Sequence, residues 1–439
     1  MMIFSLLQTA AQTAPMVHVS PPPSGMAWFL STVVKMLLTF TIYMVGVMYV
    51  IWLERRVCAW MQDRLGPNRV GYQGLLQSVA DGVKNIMKEE TYPGEAYLPL
   101  FILAPVMSFI PALLTWAVIP YGAAWASPWG TIDMALAPMP IGFLFILAIS
   151  SLGVYGIVLA GWASNNKYSL LGGLRSSAQM ISYEIAMGMS TIPVLILAGN
   201  VSLSKIVEQQ ASAGGGLHWN VINLTVAFFV FIIAAFAETN RNPFDLPEAE
   251  SELIAGYHSE YSAMKFSMFF IAEYANIMTA SALMATLFFG GWDIPFTQWD
   301  NAAPHTLIKT LLTFGVFWLK VLVFVFVFIW VRWTLPRFRY DQLMALGWKL
   351  MLALAYIVVV AGVALGLQYA GIYPDSWKFA VTMLVVNIVL MGLIVFVLDR
   401  GRLISPAYSR LERRDLDKLR QARYNRARFE PVLTEGGAD

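Results

Sequence analysis

The sequence predicts an all-α polytopic membrane protein of nine transmembrane helices, with an amphipathic surface helix after the first. The N-terminus is expected outside and the C-terminus in the cytoplasm. Three observations carry this. First, the 439 residues are 58% hydrophobic and 13% charged, against about 25% charged in ordinary soluble domains. No soluble fold of this length can bury so much apolar surface, so lipid must be the solvent. Second, the apolar residues gather into nine stretches: Ala27–Leu53, Leu98–Pro120, Ile141–Trp162, Ala178–Ala198, Val221–Ala237, Phe266–Phe289, Leu311–Val331, Leu350–Tyr369 and Phe379–Leu398. Spanning the hydrocarbon takes about 20 residues, and Val221–Ala237 is the shortest of the nine. Third, the basic residues alternate in number from one connection to the next.

That alternation fixes the orientation. Of 29 Lys and Arg, 24 fall after the first, third, fifth, seventh and ninth stretches. The intervening connections hold only Lys205, Lys309 and Lys378, while Lys35 and Lys320 lie inside spans. Basic residues stay on the cytoplasmic side, and nine spans preserve the alternation where eight would break it. The chain then divides into a periplasmic segment 1–26, a membrane domain 27–398 and a basic cytoplasmic tail 399–439. Its cytoplasmic connections are 54–97, 163–177, 238–265 and 332–349. No Lys or Arg precedes Lys35. A secretory signal needs a basic first region, so the N-terminal segment reads as mature and membrane-associated.

The reactive side chains are few. A single cysteine, Cys58, excludes a disulfide within the chain and an iron–sulfur cluster held by about four cysteines. It reads as a small packing residue. The four histidines, His18, His218, His258 and His305, have no metal-ligand spacing. No cofactor and no metal are expected on the chain itself.

The stretch Ala237–Lys265, AETNRNPFDLPEAESELIAGYHSEYSAMK, is the chemical centre. It sets Glu238, Asp245, Glu248, Glu250, Glu252 and Glu260 against Arg241 and Lys265, and Pro243 and Pro247 interrupt any helix there. Carboxylates crowded near a low-dielectric boundary are expected to titrate high and in a coupled way. That suits proton transfer, although a solvated acidic connector has the same composition. Lys35, Glu184, Glu273 and Lys320 lie within spans. Such charges face a bundle interior or a wet cavity, and Lys35, near the outer end of its span, can also snorkel outward.

The first connection opens ERRVCAWMQDRLGPNRVGYQG, with a turn at Gly66-Pro67-Asn68. Leu75, Leu76, Val79, Val83, Ile86 and Met87 then recur at helical spacing, with Asp81, Lys84 and Lys88 mostly elsewhere on the wheel. This predicts a helix at the membrane surface or against its own bundle. Pro336 stops the seventh span in WVRWTLPRFRYDQLM. Arg332, Arg337 and Arg339 follow, either as a stop-transfer cluster or as counter-charges for the acidic stretch, with Asp341 as a local partner. The tail after Arg400 mixes Arg with Asp and Glu, fitting a surface helix or a disordered arm that meets lipid or another subunit.

Three of these segments, ERRVCAWMQDRLGPNRVGYQGLLQSVADGVKNIMKEE, AETNRNPFDLPEAESELIAGYHSEYSAMKFSMFFIAEYANI and WVRWTLPRFRYDQLM, are similar to the signature segments of one family. It is the quinone-site membrane subunit of proton-translocating NADH:quinone oxidoreductase, respiratory complex I. The resemblance runs from the first span through the eighth. The ninth span and the basic tail exceed the eight-helix mitochondrial form and resemble bacterial members, which implies a bacterial inner membrane rather than a mitochondrial one.

The resemblance implies a multi-pass subunit with no redox centre of its own. With hydrophilic partner subunits it would form a chamber for ubiquinone, beside membrane lipids and the antiporter-like membrane subunits. NADH, FMN and the iron–sulfur clusters would belong to partners, and nucleic acid is not expected. Family positions for the chamber and its entry map to Glu54, Arg55, Arg64, Arg69 and Asp81. Those for proton coupling map to Glu184, Glu238, Asp245, Glu248, Glu250, Glu252, Glu260 and Glu273. Arg332, Arg337 and Arg339 match the basic end of the seventh helix. Three rivals stand beside this: a related membrane subunit of a ferredoxin- or hydrogenase-linked complex, a stand-alone ion transporter, and a structural anchor. The chain shows no inverted repeat of the kind common in transporters.

Overall fold

A computed structural model describes residues 25–128, 130–211, 218–245, 256–295, 297, 299–300, 306–350, 353–372, 376–398 and 421. The chain forms two units, Met1–Asn387 and Ile388–Asp439. The second is described only over 388–398, at the end of the last helix, and at residue 421. The basic tail, the N-terminal segment, Pro247, Glu248, Glu250 and Glu252 lie outside the described residues.

The helices are α1 (Met26–Met61), α2 (Gln77–Met87), α3 (Leu98–Leu114), α4 (Gly142–Ala163), α5 (Lys167–Ala198) and α6 (Leu203–Ala211). They continue with α7 (Thr225–Glu238), α8 (Ala263–Phe288), α9 (Leu307–Thr334), α10 (Tyr340–Leu350), α11 (Ala353–Tyr369) and α12 (Trp377–Leu398). The nine apolar stretches overlap these helices, although Val221–Ala237 begins before α7 and Leu350–Tyr369 begins on α10. Among the described residues, seven segments are long and apolar enough to cross a membrane: 26–61, 98–118, 142–163, 167–198, 263–288, 307–334 and 340–369. The apolar helix α7 and the portion 377–393 of α12 are shorter by that measure.

Two boundaries differ from expectation. Helix α1 runs on to Met61, so Glu54 and Arg55 stand on the helix rather than in the loop after it. The connection between α3 and α4 holds a small antiparallel hairpin, β1 (Trp125–Ser127) and β2 (Gly130–Ile132), with Ala126 opposite Thr131. Three-residue strands are too short to leave an alternating pattern, so an all-helical reading passes over them.

Helix ends follow local chemistry. The Asn166 side chain accepts from Tyr168 N–H at 2.9 Å and starts α5, which closes at left-handed Gly199 (φ 62). Pro105 and Pro111 sit inside α3, where neighbouring helices can satisfy the freed carbonyls. Gly74 (φ +75) folds the loop before α2 so tightly that a Cβ there would lie 2.2 Å from the Pro67 carbonyl oxygen.

Helix α8 is the centre of the first unit. Its apolar window is 67% buried, against 17% for α1. The Tyr43 hydroxyl on α1 donates to the Ala275 carbonyl at 2.9 Å, and its ring stacks on Trp116 at 4.6 Å. Helices α3, α4, α5 and α7 pack in succession around this core. Gly172 on α5 meets Gly256 so closely that a Cβ at 172 would come within 2.7 Å of the Gly256 carbonyl carbon.

Candidate functional site

The site forms where the last turns of α1 and α9 and the first half of α8 meet the segment that follows α7. Helix α7 stops at Glu238, and Asn240 (φ 49) turns the chain back. Asn is among the side chains that tolerate this left-handed region. Buried Gln179 on α5 pins the turn. Its Nε2 donates to the carbonyls of Ala237 (2.8 Å) and Phe244 (2.9 Å) and to Asn240 Oδ1 (3.1 Å). Asn242 Nδ2 donates to the Arg332 carbonyl at 2.7 Å, and Phe338 N–H donates to the Pro243 carbonyl at 3.1 Å. These bonds deliver Arg241 into the protein instead of to solvent.

The Arg241 guanidinium is 4% exposed and lies between two carboxylates. Its Nε is 2.7 Å from Glu273 on α8, and its Nη1 is 3.5 Å from Glu54 on α1. Glu54 also pairs with Arg332 at the end of α9 and accepts a 2.7 Å hydrogen bond from the Tyr274 hydroxyl. The Tyr274 ring lies 4.3 Å from the Arg241 guanidinium carbon, within cation–π range. Burial alone would make Arg241 a stronger acid, but Glu273, Tyr274 and Glu54 outweigh it and hold its pKa above the ordinary value. The Arg241 Nη2 is buried and has no hydrogen-bond partner among the described residues.

A cavity of about 410 Å³ opens beside this cluster. Arg241, Glu273, Asp245, Arg332 and Arg337 line it, together with Phe266, Phe269, Phe270 and Trp333. Asp245 pairs with Arg337 at 2.8 Å. Burial raises the Asp245 carboxyl above its usual range, and the pull of Arg337 and Arg332 only partly reverses this. The arrangement therefore places ionisable groups beside aromatic side chains on the wall of one cavity.

The five residues expected at the chamber and its entry separate. Glu54 joins the buried cluster. Arg55 and Asp81 pair with each other and hold α2 to α1. Exposed Arg64 bonds Gln62 Oε1 at 2.7 Å and approaches the sulfur of buried Cys58, while Arg69 is exposed. Val79, Val83, Ile86 and Met87 leave the apolar face of α2 open.

The expected acids separate too. Glu273 and Asp245 border the cavity. Glu184 and Glu238 act on each other electrostatically where α5 packs on α7. Glu260 accepts from Asn166 Nδ2 at 2.7 Å beside the α4–α5 turn, away from the walls of that cavity. Of the basic residues, Arg332 and Arg337 reach acids on other elements, whereas Arg339 pairs locally with Asp341 at 3.0 Å.

Lys35 donates to the carbonyls of Asp133 and Ala135 instead of hanging free. Lys320 binds three carbonyls beyond the end of α8: Phe289 (2.7 Å), Gly291 (2.9 Å) and Asp293 (2.7 Å). Among the described residues no group of three or more His, Cys, Asp or Glu is placed to hold a metal. Tyr274 and Gln179 escaped the sequence reading. One looks like another aromatic in an apolar span and the other like a stray polar residue, and only proximity to residue 273 hinted at the first.

These features define a multi-pass helical membrane protein with a buried ion-pair cluster on the wall of a cavity at one end of its bundle. The sequence matches the family described as NADH dehydrogenase over residues 34–363, and the chain belongs to that family. It is 48% identical over 355 residues to the H subunit of NADH-quinone oxidoreductase from Leptospira biflexa serovar Patoc, covering 79% of this chain and 95% of the relative. It is 49% identical over 321 residues to an H subunit of NADH-quinone oxidoreductase from Cytophaga hutchinsonii, covering 73% and 92%. The corresponding H subunit of Flavobacterium johnsoniae is 46% identical over 336 residues, covering 76% and 94%.

Proposed function

We propose that this chain is the membrane-arm subunit of NADH:ubiquinone oxidoreductase that borders the ubiquinone chamber and couples quinone reduction to proton translocation. Family membership and the names of the relatives support its place in that enzyme. One observation carries the coupling: Glu54, Arg241, Glu273, Tyr274 and Arg332 form a continuous, largely buried cluster beside the cavity that Asp245 and Arg337 also line. Reduction of a quinone takes up two electrons and two protons. A headgroup that gains negative charge near such a cluster changes the proton affinity of its carboxylates, and the altered ion pairs then shift the loops that hold them.

Glu184 and Glu238 extend the acids along α5 and α7, with Glu248, Glu250, Glu252 and Glu260 on the connecting segment. In this reading α7 and α12 cross the membrane as well, giving nine spans with the N-terminus outside. The exposed apolar face of α2 lies in the cytoplasmic membrane surface near the quinone entry, beside Arg55, Arg64, Arg69 and Asp81. The chain resides in the bacterial inner membrane, contacts hydrophilic and antiporter-like subunits, and leaves NADH, FMN and iron–sulfur chemistry to partners.

Replacing Glu184 or Glu250 by Gln in the assembled complex tests the coupling. The expected result is a severalfold fall in protons pumped per NADH oxidised with quinone, while assembly and NADH oxidation with an artificial acceptor stay intact. Full pumping in both variants would remove these acids from the mechanism.

A further inference from the structure

The apolar segment before the acidic stretch is broken. A single helical turn, Asn220–Asn223, is separated from α7 by Leu224, whose φ of −135° and ψ of 47° are not helical. Helix α7 itself has 14 residues, fewer than the roughly 20 that a crossing needs. A break in a membrane segment frees carbonyls on one side and N–H groups on the other. In hydrocarbon each must find a protein partner. The Thr225 hydroxyl takes one share, donating to the Val221 carbonyl at 2.9 Å.

The remaining partners come from far along the chain. Asn387 on α12 is 2% exposed. Its Nδ2 donates at 2.7 Å to the Asn223 carbonyl and at 2.7 Å to the Met383 carbonyl of its own helix. Its Oδ1 accepts from the Tyr356 hydroxyl on α11 at 2.7 Å and from Val226 N–H at 3.5 Å. One amide therefore uses its full donor and acceptor capacity to serve a carbonyl before the break and an N–H after it, with the Tyr356 hydroxyl orienting its oxygen. This is the work of an N-cap side chain, done from a helix more than a hundred and fifty residues away in sequence.

The family match ends at residue 363, before α12 begins at Trp377. The cap thus lies on a helix outside the matched region and acts on a helix inside it. We propose that Asn387 is a positioning residue: it caps the broken segment and thereby holds α7, with Glu238 at its other end, in register against α5. The cap stands on its own geometry, whereas its consequence at Glu238 rests on the coupling role proposed above.

The test uses the intact complex carrying the full-length chain. Amide hydrogen exchange is followed in peptides covering residues 223–230, alongside proton pumping per NADH oxidised. Asn387→Leu should accelerate exchange in that segment at least about tenfold, the mark of a lost buried partner, with a control segment of α8 unchanged. Tyr356→Phe should give a smaller rise. Asn387→Asp supplies a pH signature. Its neutral acid can still donate to the Asn223 carbonyl and accept from Val226, so protection returns at low pH and fails as the acid ionises, with pumping following the same profile.

Unchanged exchange in both Asn387→Leu and Tyr356→Phe would overturn the cap. If the leucine variant does not assemble, Tyr356→Phe and the pH profile of Asn387→Asp decide alone. An Asn387→Asp complex whose protection follows the wild-type pH dependence would equally overturn it. Faster exchange with undiminished pumping would overturn the positioning role and identify the failure as that of the coupling reading, since the cap itself would then be demonstrated.

Discussion

The two ends of α8 hold buried charge in opposite ways. Towards its start, Glu273 shares Arg241 with Glu54, which also engages Arg332 and Tyr274. Past its end, Lys320 delivers its ammonium to three carbonyls, with the Trp219 ring 4.5 Å away. An ammonium with three carbonyl acceptors is fully used, and its placement suits the negative end of a helix dipole. Gln210 and Asn220 add bonds to the carbonyls of Thr286 and Leu287 in the same last turn. The far end is a staple. The near end gives Arg241 two carboxylates and Glu54 two cations, so a change in protonation there has an alternative pair to fall back on.

The largest effect that would sharpen this contrast comes from removing the shared cation. Arg241→Met leaves Glu273 buried without its partner, and breaking a buried pair costs about 3–5 kcal/mol. Complex assembly and thermal stability should fall together, as read by native electrophoresis and a melting curve. Next comes Lys320→Met, which strips three carbonyls of their donor. Each unsatisfied buried group costs about 1–3 kcal/mol, so the melting temperature should drop. Pumping per assembled complex should nevertheless hold. A stable Lys320→Met complex with impaired pumping would break the contrast, because the staple would then be part of the machinery.

The smallest effect concerns α2, which is tied on by a half-exposed pair. Burial alone would raise the Asp81 carboxyl, but the hydrogen bond and charge of Arg55 hold it below its ordinary 3.8. A depressed carboxyl favours the folded arrangement above the unfolded value and loses that contribution as pH falls through the folded one. Proteolysis or exchange within residues 77–87 should therefore rise as the medium is acidified below about pH 4. Arg55→Gln should loosen α2 at neutral pH and flatten that dependence.

The sequence made the helical layout legible because membrane spans are written in long apolar runs and basic connections. It also exposed the segment around Arg241, since Glu238, Asp245 and two prolines are conspicuous between apolar stretches. What stayed hidden depended on distance. Glu54 and Arg332 are 278 positions apart and meet only through the packing of α1 and α9. Tyr274, Gln179 and Asn387 look ordinary because their importance lies in the backbone groups they satisfy, and no spacing rule connects residue 387 to residue 223. The α3–α4 hairpin was lost because its strands are three residues long.

The glycine contact between α5 and residue 256 has a mechanical consequence. With no side chain on either partner there is nothing to rotate and absorb a push. Displacement at the downstream edge of the acidic segment would pass straight into the α5 backbone, twelve residues before Glu184. Any larger residue at 172 would act as a spacer between loop and helix, introducing slack into that transmission.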